Sequence, residues 1–427
     1  MTINANNPLQ RGPWILGPLR DSVLFILTPA LILPLLAFTH RVSPDTLAIY
    51  VLGIGGFGHH LPGFIRAYSD PGLFRRFRLR FTLVPAALIV IGALFAYLNL
   101  NALVFATLAW GLWHGAMQVN GFARIYDSKA GSFDTATAAL DRVMCLLWFG
   151  LVVLHSPEKL TALLTPFYTA GGPLLGPDAL GGLRRLWDVA TASVTVLFAI
   201  NAWLRTRAGV PPSQVKLLAM AAAFAYWGYC MILAPSLLLG LLMWEVFHDV
   251  QYNVLVWYFQ RRRVEANLGA SRLERFLFAP GMVRLTLYAL LILAYGAVGV
   301  ASSFSDINFP EKFAGGGVMP WLLRLTVISA LLHFYYDGFI WNMREPETRR
   351  GLALETKSPG ITGATLARGW RHGWKWAFFI VPMALLGWRE YRGLGPAPEA
   401  QITSLPETVP QSWTAHFLAG TYFKGQG

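Results

Sequence analysis

Apolar runs of roughly twenty residues, the length that crosses a bilayer core, follow one another along the chain with short polar interruptions. They fall at 22–39, 46–65, 81–100, 102–122, 139–156, 186–204, 215–233, 236–258, 284–304, 321–343 and 373–388. The pattern predicts an all-α, polytopic membrane bundle of eleven transmembrane helices. Residues 215–259 are almost unbroken and too long for one span. Ala234-Pro235-Ser236 divides them, because proline disfavours a helix running through it. The stretch 157–185, rich in Gly and Pro, reads as a loop. The Pro-rich tail 393–427 reads as loosely ordered, which leaves 1–392 as one transmembrane domain.

Charge then orients the spans. Only 13% of residues are charged, against about 25% in a soluble domain, so a set of soluble domains is excluded. A net charge of +13 would suit nucleic acid, but the basic residues are not spread evenly. Of 35 Lys and Arg, 26 lie in or beside the amino-terminal tail and the loops after spans 2, 4, 6, 8 and 10. That asymmetry places the amino terminus and those loops in the cytoplasm of a multi-pass cell-membrane protein, a bacterial inner membrane being the natural setting. RRFRLR (75–80) and RRR (261–263) then lie beside lipid phosphates, and no nucleic-acid partner is expected. Cys145 and Cys230 both fall within spans and give no disulfide framework. Arg11 and Arg20 precede an apolar run with no small-residue cleavage site, so no cleavable signal peptide is expected.

Against this apolar background, polar residues stand out. Residues 244–252 read WEVFHDVQY inside span 8, where each charged group costs at least about 2.5 kcal/mol. Nine histidines are present. His40 and His155 sit at outer span ends, His372 opens the last span and His416 lies in the tail. The other five are His59 and His60 (span 2), His114 (span 4), His248 (span 8) and His333 (span 10). All four spans run in the same direction. At about 1.5 Å per residue, His114, His248 and His333 lie roughly 12–15 Å from the cytoplasmic end, with His60 somewhat shallower. A lone histidine on an apolar face is ordinarily a satisfied core residue; four helices bearing imidazole at matched depth predict a shared site.

Their neighbours agree. Glu245, His248, Asp249 and Tyr252 form one helical stripe at i, i+3, i+4 and i+7. His333 shares a face with Tyr336 and Asp337, and His114 with Gln118. Imidazole with carboxylate suits iron, zinc or manganese, and Glu-x-x-His is the spacing by which helical bundles supply ligands to di-iron centres. The expected metal ligands are His60, His114, His248 and His333, with His59 and Glu245 as candidates for further coordination. Asp249 and Asp337 would orient imidazoles or carry protons. Gln118 and Tyr252 would line the cavity, with Tyr336 a weaker member. GFIRAYSD (63–70) and GFARIYDS (121–128) form an internal echo. Arg66 and Arg124 in them read as helix-end caps, or as a mouth for an anionic head group or electron donor.

Histidines clustered over several spans resemble, in kind, the membrane desaturases and hydroxylases and the bacterial membrane carotene-cleaving dioxygenases. The desaturase HxxxH and HxxHH boxes are lacking: His59-His60 has no partner at that spacing. The resemblance implies an oxidoreductase holding one or two non-haem iron ions. Its substrate would be a lipid or isoprenoid, with electrons supplied by a cytoplasmic donor. Two other readings remain open: a proton-coupled transporter using the same His/Asp/Glu groups, and an electron carrier with b-type haem between paired histidines.

Overall fold

The computed structural model describes residues 12–32, 41–132, 134–303, 318–342, 345–354 and 365–425. The end of the first expected span (33–39), His40 and the glycine cluster at 315–317 lie outside them. Every element among the described residues is helical. Six stretches are long and apolar enough to cross a membrane. Five are the helices α4 (Pro71–Tyr97), α5 (Ala102–Lys129), α6 (Thr135–His155), α8 (Pro177–Arg207) and α12 (Met282–Ser303). The sixth is α9 (Gln214–Gly228) with the π turn Tyr229–Leu233 that ends it. Three further long helices, α10 (Leu237–Glu265), α13 (Val318–Ile340) and α15 (Thr365–Tyr391), complete the bundle; Leu325–Ile340 of α13 is a shorter apolar segment.

Helix starts follow the local chemistry. Asp70, Asp134, Ser213 and Ser236 each accept a hydrogen bond from a backbone N–H of the turn they precede. The expected break at Ala234-Pro235-Ser236 is where the π turn gives way to extended backbone and α10 begins. The tight turn before α5 uses Asn99 at φ 52, a left-handed conformation that asparagine tolerates. The Glu390 carboxylate at the end of α15 accepts from Asn101 N and Ala102 N, closing the start of α5.

The second expected span is not one helix. It consists of α2 (Pro44–Val51), a π turn at Leu52–Gly56 and α3 (His60–Ser69). Glycines let this broken segment lie directly on α12: a side-chain carbon at Gly53 would meet the Val300 backbone at 2.8 Å. The segment before α2 is likewise irregular, with the short α1 (Pro18–Asp21), a π turn and a 3₁₀ turn. It is anchored by the buried Asp21 carboxylate, which accepts from Ile15 N at 2.7 Å and Tyr126 Oη at 3.2 Å.

The largest core lies between α5, α6, α9 and α10, where Phe149 stacks on Trp227 at 4.9 Å between ring centres. Charge is buried at one end of these helices. Arg124 and Asp127 of α5, Asp141 of α6 and Lys216 of α9 form a closed ionic group, with Lys216 Nζ 3.1 Å from both carboxylates. A second group pairs Arg263 of α10 with Asp70, and with Glu274 of α11 (Arg272–Phe278).

Two segments differ from the sequence expectation. The stretch 157–185 is not simply a loop: it carries α7 (Pro157–Thr169) and the start of α8. The tail holds two helices, α16 (Pro398–Thr408) and α17 (Trp413–Lys424), packed on α7. Of the prolines behind the loop and loose-tail readings, Pro157, Pro177 and Pro398 stand at first helical positions, where the missing N–H costs nothing, while Pro166 and Pro406 lie inside α7 and α16. The Glu158 carboxylate accepts from Trp413 N and Thr414 N at the start of α17. Glu158→Ala should therefore release α17, at about 1 kcal/mol for a lost cap. Limited proteolysis in detergent should then cut near 410 faster than in the parent chain.

Candidate metal centre

Four helical segments each bring one imidazole to the same buried spot. His59 immediately precedes α3; His114, His248 and His333 come from α5, α10 and α13. None is more than 7% exposed. One nitrogen from each lies within 4.8 Å of the others. His333 Nε2 is 3.1 Å from His59 Nε2 and 3.1 Å from His114 Nε2. The His248 ring sits edge-on to those of His59 and His114, at 5.0 and 5.1 Å between centres.

These distances test whether an ion fits. Two nitrogens each about 2.0–2.1 Å from one ion lie about 2.8–3.4 Å apart at coordination angles between 90° and 109°. A ring nitrogen has either one proton or one lone pair, so His333 Nε2 cannot make two well-directed hydrogen bonds at once. A shared ion satisfies both contacts. His333 Nδ1 is buried without a hydrogen-bond partner, so hydrogen bonding at that nitrogen does not explain the ring's placement.

The sequence placed His60 before His59; the geometry reverses that order. His60 stacks on His333 at 4.6 Å and 26° between planes, and its Nδ1 meets Ser329 Oγ at 2.9 Å. Ser329 in turn meets Tyr295 Oη at 2.9 Å. The π turn at Leu52–Gly56 accounts for this. A wider turn shifts the helical register, so straight-helix periodicity does not tell which of two adjacent rings faces inward.

The α10 stripe divides its work. His248 turns to the centre. Asp249 Oδ1 lies 2.8 Å from His59 Nδ1 and Glu245 Oε1 lies 3.9 Å from it, both on the side of the ring away from the other histidines. Tyr252 Oη donates to Asp337 Oδ1 at 2.8 Å, and Trp341 Nε1 donates to the same oxygen at 3.2 Å. The other Asp337 oxygen is 3.8 Å from His333 Nε2. Gly63 leaves room for this group: a side-chain carbon there would stand 2.6 Å from Tyr252 Oη. Lys159 of α7 lies close enough to act on Glu245; burial pushes its ammonium down to about 8, against the pull of that carboxylate.

Gln118 does not face the four rings. Its Nε2 donates to the His248 carbonyl at 3.0 Å and to Gln251 Oε1 at 3.2 Å, so it braces α10 against α5. Gln251 Nε2 passes the brace on to the Phe25 carbonyl at 2.7 Å. Tyr336 points elsewhere, its hydroxyl 2.6 Å from that of Tyr68. The echoed arginines part company too. Arg124 joins the ionic group, whereas Arg66 is sandwiched between Phe259 and Trp341, 4.0 Å from each ring centre. Trp341, Gln251 and Ser329 were not singled out in the sequence. Trp341 was readable, since His333, Asp337 and Trp341 recur at i, i+4 and i+8.

No protein-family model matches the chain, and comparison with curated proteins and with solved structures finds no match.

Proposed function

We propose that the chain is a membrane metalloenzyme of eleven spans with a cytoplasmic amino terminus. It holds iron between His59, His114, His248 and His333 and oxidises a lipid or isoprenoid-type substrate. One observation carries the reading: four imidazole nitrogens from four helices lie within 4.8 Å of one another, all buried in an apolar bundle. The donors are imidazoles, and neither cysteine has a place in the group, a set that suits iron as well as zinc or copper. Iron held by these four residues would supply one-electron chemistry toward dioxygen and unactivated carbon.

The residues around it fit that task. Asp337, fixed by Tyr252 and Trp341, holds its other oxygen 3.8 Å from His333 Nε2, the nitrogen that would face the ion, and so sets a carboxylate beside the site. Phe334 covers His114 at 4.8 Å and helps to keep water out. A substrate dissolved in the bilayer suits walls of this kind. The basic loops offer a cytoplasmic face to an acidic electron donor. Haem is disfavoured, because axial nitrogens on opposite sides of one iron stand about 4 Å apart with the porphyrin between them, not at the observed 3.1 Å.

Metal analysis and a visible spectrum of the detergent-purified protein test this. Expected are at least one iron per chain and no Soret band. Zinc alone would turn the reading to hydrolysis. Clean protein without metal would sink it and favour the transporter.

A further inference from the structure

We infer a second cation position on the opposite edge of the His59 ring, formed by His59 Nδ1, Glu245 and Asp249; as the ion binds, Nδ1 gives up its proton to the neighbouring carboxylates and through Glu245 to water, so that the ring serves two ions as an imidazolate. The inference rests on the metal reading above and extends it. The three side chains each offer a ligand atom, all within 4.8 Å of one another.

One proton on His59 Nδ1 cannot serve all the acceptors gathered around it. His59 Nδ1 directs its in-plane contact to the Gly55 carbonyl at 3.2 Å. Asp249 Oδ1 stands 2.8 Å from the same nitrogen yet has no hydrogen-bond partner, although the residue is only 6% exposed. A buried carboxylate oxygen left in this state is strongly disfavoured unless a cation meets it.

The backbone makes room for both acids. A side-chain carbon at Gly55 would collide with Asp249 Oδ2, and one at Gly56 would stand 3.0 Å from Glu245 Oε1. The π turn thus presents bare backbone where the two carboxylates close in. Access differs as well. The Glu245 side chain is 23% exposed, whereas the four rings of the first group are sealed. Glu245 is therefore where an ion enters. Two carboxylate oxygens with one imidazole form a harder donor set than four imidazoles and suit a divalent first-row cation such as Mn²⁺ or Fe²⁺.

Full-length protein stripped of metal and titrated with Mn²⁺ tests the proposal, read by elemental analysis and electron paramagnetic resonance. The parent chain should take up two Mn²⁺, with a signal broadened by coupling through the shared ring. Glu245→Gln should take up one and show an isolated six-line spectrum. This variant leaves the closer Asp249 contact to His59 in place, and its melting temperature reports whether it folds. A parent chain that binds a single uncoupled Mn²⁺ overturns the second position and leaves the four-histidine reading standing. So does a Glu245→Gln variant that retains both ions. A parent chain that binds none overturns both.

Discussion

His114→Ala is expected to strip the protein of the metal proposed above and of the activity that depends on it. The same result is expected for His59→Ala, His248→Ala and His333→Ala, because each ring supplies one of four converging nitrogens. Loss of a residue that merely supports a ligand costs about 10–100-fold in metal affinity; loss of a ligand should exceed that. His60→Ala is the informative contrast. Its ring lies against His333 and bonds to Ser329, so removal should loosen the centre within that 10–100-fold range without emptying it. His155, paired with Asp188 at an exposed site, and His416, bonded to the Pro410 carbonyl, are controls whose replacement should change neither quantity. Metal content per chain after dialysis against a chelator decides. Equal losses in the controls and the four ligand variants would refute the assignment.

Asp141→Ala should be the most destabilising change outside the centre. Its carboxylate is fully buried and pairs with both Arg124 and Lys216. Without it, Asp127 alone faces the buried Lys216 and the partly buried Arg124. Breaking such a group by removing one member costs about 3–5 kcal/mol, which in a chain of this size lowers the melting midpoint by about 3–6 °C. Asp141→Leu combined with Lys216→Met removes one charge of each sign and should recover part of the loss. Thermal unfolding in detergent measures both. A double variant no better than Asp141→Ala would mean that packing, not charge, holds this end together.

The sequence makes much of this legible, for one reason. Ionisable residues inside apolar runs are expensive, so His114, His248, His333, Asp249 and Asp337 stand out before any coordinates. The rank of His59 and His60 was not legible, because it depends on a π turn that a 3.6-residue period cannot represent. Two of the segments that build the site are also the least span-like by length and hydropathy. α10 carries the polar stripe, and the second expected span is broken by glycines and a turn. Neither is among the six helices that qualify as membrane-crossing by length and hydropathy. The short helices α7 and α16 escaped notice because proline at a helix start looks, in one dimension, like proline at a break.

The contact between His59 and His333 joins residues 274 positions apart. During synthesis the amino-terminal ring therefore waits, without its closing partner, until three quarters of the polypeptide has been made. No truncated product ending before α13 can complete the pocket. Closure of the pocket must therefore precede its filling, so an ion meets the finished protein rather than a nascent fragment.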